Sequence, residues 1–159
     1  MKTVISAAIV GVLLASGVAA QTTYGEFRSQ GREREQELIV PSLGDIMLGI
    51  QFRHIKLWYA GRSGSWDLAE YELRHLLQSL GRAALLYVNI PIEQIQAADA
   101  PMLELQAAIK ARDAGRFARV YREFTAACNA CHQAGAVGYI RIQTPSSSPF
   151  NNQFYPNRP

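Results

Sequence analysis

The run Cys128-Asn129-Ala130-Cys131-His132 places two thiols three positions apart, with an imidazole directly after the second. Two thiols at this spacing can each add to one of the two vinyl groups on a haem edge, forming two thioether bonds. The adjacent imidazole can then bind the iron as an axial ligand. The expected cofactor is therefore one covalent haem c with its iron, tethered by Cys128 and Cys131 and held by His132.

Other chemistries use parts of this run. A thioredoxin-type redox pair needs a strand–helix–strand setting, and no such strand pattern surrounds the motif. A structural zinc site usually needs four nitrogen or sulfur ligands. The chain contains no cysteine beyond these two, and its other histidines are His54 and His75. A structural disulfide or a chance match is a further alternative.

The beginning of the chain supplies a compartment in which such a haem can be attached. Residues 1–20 read as a secretory signal: Lys2, an apolar stretch from Val4 to Leu14, and Val18-Ala19-Ala20 before Gln21. The apolar run is short for a span of about 20 residues and is interrupted by Ser6, Gly11, Ser16 and Gly17. Cleavage is thus expected rather than a retained anchor, with the product exported to the periplasm and without a stable membrane span. Removing 20 residues from 159 leaves 139, the size of one domain. The full chain carries 16 basic and 13 acidic residues, and loss of Lys2 reduces the excess to two. With no basic patch interleaved with aromatics, nucleic acid is not an expected partner.

Residues 21–41 form a polar lead segment of mixed charge. Four helical stretches follow. The first is expected from about Ser42 to Ala60, with Leu43, Met47, Ile50, His54 and Leu57 on one stripe. The second runs from Ser65 to about Tyr87, with Trp66, Ala69, Leu73, Leu76, Leu77, Leu80, Ala84 and Tyr87 inward and His75 in solvent. A longer connection begins at Asn89. The third helix opens at Pro101, a residue suited to a first turn, and turns Met102, Leu105 and Ile109 inward. Asp113-Ala114-Gly115 then breaks the chain. The fourth runs from Arg116 to about Gln133, and Phe117, Tyr121, Phe124, Cys128 and His132 lie on one stripe. The haem motif is thus in phase with the aromatic core row. Arg112, Arg116, Arg119 and Arg122 lie on the outer side, a solvated face that could also dock a redox partner. Residues 134–159 form an irregular tail. Its Phe150, Phe154 and Tyr155 suggest that it folds back over the bundle.

The chain resembles the four-helix-bundle c-type cytochromes, the cytochrome c-prime and cytochrome c-556 class, with cytochrome b-562-like architecture. The resemblance covers roughly residues 42–133 and rests on the helix number and on Cys128, Cys131 and His132 at the end of the last helix. Class I cytochromes c carry the motif near the N-terminus with a Met ligand after it; here no Met follows Cys131. The resemblance implies an all-α antiparallel four-helix bundle with covalent haem near the end of the last helix.

It also implies that the first helix faces the iron opposite His132. His54 and Met47 are the candidate distal ligands on its inner stripe. Setting residue 60 level with residue 116 puts residue 44 opposite His132, and at 1.5 Å per residue Met47 is then about 5 Å from that level and His54 about 15 Å. A buried, unpaired imidazole costs about 1–3 kcal/mol, which ligation of His54 would relieve. The alternative for His54 is a core histidine bonded to a backbone group or a tyrosine. A filled sixth position implies an electron carrier and no enzyme. A vacant one, walled by Ile50, implies a c-prime-like protein that takes up nitric oxide or carbon monoxide. A peroxidase would need Arg53 beside His54 on the distal side, and Arg53 points about 100° away. Redox partner proteins follow from the carrier reading, and the exposed Tyr71 would permit a homodimer through the first two helices.

Overall fold

The computed structural model describes residues 40–155. The signal expected at 1–20 and nearly all of the lead segment at 21–41 lie outside these residues. The described chain forms an all-α four-helix bundle, with a fifth, single-turn helix inserted between its halves. Helices α1 (Leu43–Arg62) and α2 (Trp66–Leu86) make the first hairpin; α3 (Ile92–Ala97) is the insert; α4 (Asp99–Lys110) and α5 (Ala114–Ala134) make the second.

The helix ends follow local chemistry. Ser42 caps α1, its Oγ accepting from the Asp45 amide at 3.1 Å, and the Asp45 carboxylate favours the positive end of the helix. Gly64, at φ 72°, reverses the chain into α2 within three residues, a tight connection that sets the pair antiparallel. Asp113 caps α5 by accepting from the Arg116 amide at 2.9 Å. Just before it, Arg112 closes α4 in the left-handed region, where the Asp113 amide donates to the Ala108 carbonyl at 3.1 Å.

Two boundaries differ from expectation. The third helix begins at Asp99, so that Pro101 lies within its first turn, where backbone amides have no helical acceptor to lose. The break before the last helix falls at 111–113, and Gly115 lies inside α5. The α3 turn was not expected: its six residues show no strong periodicity and none of them is buried.

The core is aromatic along α5 and aliphatic along its neighbours. Phe117, Tyr121 and Phe124 are buried with Leu57, Ala60, Leu73, Leu76 and Leu105. Each such fully buried apolar side chain contributes about 1.5–3 kcal/mol. Trp66 meets the Phe117 ring edge-on at 6.1 Å, and Trp58 lies over Tyr121 at 4.9 Å. Gly61 lets α1 approach closely, since a Cβ there would overlap the Phe117 ring. The inward stripe of α2 fades toward its C-terminus: Leu80, Ala84 and Tyr87 are only half-buried. His75 is not in open solvent; it is half-buried, with its ring 4.3 Å from that of Tyr71.

Beyond α5 the described residues of the tail, to 155, form neither helix nor strand, and they return along α1. Phe150 meets Phe52 edge-on at 5.7 Å, and Lys56 Nζ lies 4.8 Å from the Phe150 ring centre. Tyr155 packs on Tyr59 at 5.9 Å and against the core. Among the described residues, no helix is long and apolar enough to cross a membrane.

Candidate functional site

The last two turns of α5 carry Cys128, Asn129, Cys131 and His132 on adjoining faces. Cys128 packs against the core, Cys131 is half-buried, and both thiols are free. Burial pushes the Cys128 thiol up to about 12 and raises Cys131 as well. A thiol-exchange pair relies on a depressed thiol, the opposite setting. Among the described residues, no three His, Cys, Asp or Glu side chains gather as a metal cluster, so the pair has no further ligands for a tetrahedral zinc site.

His132 is half-buried, and its Nδ1 lies 2.9 Å from the Ile140 carbonyl oxygen. A carbonyl can only accept, so Nδ1 carries the proton and donates. In the tautomer that carries one ring proton, this leaves the lone pair on Nε2. This is the usual state of a metal-ligating histidine, whose remote N–H is given to a carbonyl or carboxylate. The contact depends on the turn that follows the helix. Ala136 takes φ 59°, and the Val137 amide donates to the His132 carbonyl at 2.9 Å. Asn129, one turn before His132, fastens the same tail segment. Its Nδ2 donates to the Ile142 carbonyl and its Oδ1 accepts from the Ile142 amide, both at 2.8 Å. No signal within the motif marks Asn129, because its partner is an irregular residue 13 positions away.

His54 lies elsewhere. It is 3% exposed, and both its ring nitrogens have partners on α5. Thr125 Oγ1 donates to the Tyr121 carbonyl at 2.8 Å, leaving its lone pair for His54 Nε2–H at 2.9 Å. The Tyr121 hydroxyl lies 2.8 Å from Nδ1 and 2.7 Å from the His54 carbonyl, so its single proton serves one of these two acceptors at a time. Both ring nitrogens are thus engaged with hydroxyl groups, and burial lowers the His54 pKa to about 4. Burial also pushes the Tyr121 hydroxyl well above its ordinary value. Neither His54 nitrogen is free for a metal unless this network breaks. Arg53 points to the other side and pairs with the buried Glu72 of α2 at 3.0 Å.

The same contacts set the register of α1 against α5. His54 faces Tyr121 and Thr125, and Trp58 faces Phe117 and Tyr121, so the two helices run antiparallel. Continuing this register places His132 level with about residue 45. Met47 is two residues from that level, and His54 is nine residues from it, about 14 Å at 1.5 Å per residue. Ile46 is buried, while Met47 and Ile50 are half-buried. On the outer face, Arg116 pairs with Glu104 at 2.6 Å and Arg119 lies 4.0 Å from Glu123, so two of the four arginines have acidic neighbours.

Comparison with protein-family models, with curated proteins and with solved structures finds no match to this chain.

Proposed function

We propose that this chain is an exported monohaem c-type cytochrome of the four-helix-bundle kind, acting as an electron carrier between redox partner proteins. The observation that carries the reading is the placement of His132: the imidazole follows two free thiols one turn apart and sets Nδ1 2.9 Å from the Ile140 carbonyl, the arrangement in which Nε2 serves as a metal ligand. The donor set fits a haem. Cys128 and Cys131 would hold it by thioether bonds, His132 would bind its iron, and the apolar core beside Cys128 would exclude water. Bound there, the group supplies one-electron chemistry at iron. Met47, about two residues from the level of His132 on the facing helix, is the sixth ligand in this reading, and His54 is structural.

A second reading leaves the sixth position open for a small gas. Ile46 favours it, being buried and within about one residue of the level of His132.

The test is purification from a host competent in cytochrome maturation, with optical and EPR spectra in both oxidation states. The carrier reading expects covalent pigment, low-spin iron and no carbon monoxide binding. Met47→Ala should convert the iron to a high-spin, carbon monoxide-binding form, while His54→Gln should leave the spectra unchanged. High-spin wild-type iron that binds carbon monoxide rapidly would select the gas-binding reading. A colourless protein with the mass of the bare polypeptide would end both.

A further inference from the structure

We propose that Asn129 is a positioning residue for the His132 imidazole, acting through the tail; the inference rests on the reading of His132 as iron ligand. The acceptor for His132 Nδ1–H is the Ile140 carbonyl, and Ile140 belongs to a segment without helix or strand. Such a segment does not by itself hold a carbonyl at hydrogen-bond range of a side chain.

Two fastenings close the loop on either side of Ile140. On the near side, the Val137 amide donates to the His132 carbonyl at 2.9 Å, and the Ile140 amide donates to the Val137 carbonyl at 2.8 Å. On the far side, the Asn129 amide group meets both backbone groups of Ile142, as a neighbouring strand would. Two bonds from one planar amide fix direction as well as distance, and the Ile142 amide and carbonyl leave one orientation of the Asn129 head group. Asn129 and His132 stand three residues apart on one helix face, so the residue that fastens the tail is on the same face as the ring the tail orients.

The role of asparagine at the first intervening position of the motif is thus specific. Aspartate would keep the acceptor for Ile142 N–H but set a carboxylate oxygen against the Ile142 carbonyl, and alanine would remove both bonds. A hydrogen bond to Nδ1–H makes the imidazole a stronger donor, which favours ferric iron. Loosening the fastening therefore moves the iron toward the ferrous state.

The experiment compares the haem-loaded wild type with Asn129→Ala and with Ile142→Pro, which removes the Ile142 N–H from the tail side. Reduction equilibria, EPR spectra and amide exchange at Ile142 in the Asn129 variant are read together. We expect retained covalent haem, exchange at Ile142 faster by about tenfold or more, a reduction equilibrium shifted about three- to tenfold toward ferrous, and altered low-spin EPR splitting in both variants. Faster exchange at Ile142 with the reduction equilibrium and EPR signals of the wild type would overturn the proposal and leave Asn129 a purely structural clamp. If Asn129→Ala loses its haem, Ile142→Pro decides by the same two readings. A wild-type protein that never acquires haem is a different result: it removes the haem reading itself.

Discussion

At the residue scale, two histidines of the same chain have been given opposite states by their partners. His132 donates from one nitrogen and leaves the other open; His54 has both nitrogens engaged and is buried. The difference has a pH signature. The folded pKa of His54, about 4, lies below the unfolded value of 6.5, so the unfolded chain takes up a proton that the folded chain refuses. The contribution of the neutral ring is fully present above pH 6.5 and is lost as pH falls toward 4. Between pH 7.5 and 4.5 this group alone should lower stability by about 2–3 kcal/mol. Urea denaturation at the two pH values, compared with His54→Gln, measures it: the acid loss should shrink by about that amount in the variant. The imidazole at residue 54 was identifiable in the sequence as inward-facing. Its partners, Tyr121 and Thr125, were not, because they stand 67 and 71 residues away.

At the element scale, the register between α1 and α5 is the decisive quantity, and aromatic packing sets it. Trp58 and His54 on one helix interlock with Phe117, Tyr121 and Thr125 on the other. Gly61 permits the approach. Gly61→Ala places a methyl group against a buried ring held among Trp58, Trp66 and Tyr121. The cost should be about 1–3 kcal/mol, read as a lower urea midpoint with an unchanged denaturant slope. A loss much below this range would mean that the Phe117 ring can move aside. The stripe of α1 gave the inward face from sequence, and the helix starts expected at Ser42 and Arg116 fall within two residues of those observed at Leu43 and Ala114. Laying helices end to end gave residue 44 opposite His132, and the interlocked side chains give about 45; the helix ends alone do not fix how far one helix slides along another, and here the aromatic contacts do.

At the scale of the whole molecule, the tail makes the bundle more than a pair of hairpins. It leaves α5 beside the motif, is fastened by Asn129, and returns along α1 to pack Phe150 on Phe52 and Tyr155 on Tyr59. Phe150→Ala should release the return segment without unfolding the helices. Limited proteolysis should then cut between residues 143 and 155 at least tenfold faster, with helical circular dichroism unchanged. Equal cleavage rates in wild type and variant would show that Phe150 does not hold the segment. Such a release need not free residues 140–142, which Asn129 holds separately.

The amino-acid sequence alone determined what is local. The thiol–thiol–imidazole spacing and the periodic inward faces are set by groups within about one helical turn of each other, and they read directly from the order of residues. Tertiary structure decided what depends on distant groups meeting. It gave the nitrogens of His54 to Tyr121 and Thr125, and brought Ile140 and Ile142 back to the motif. Those pairings come from the packing of whole helices and the path of a tail without periodicity, and neither is written in any short stretch of chain.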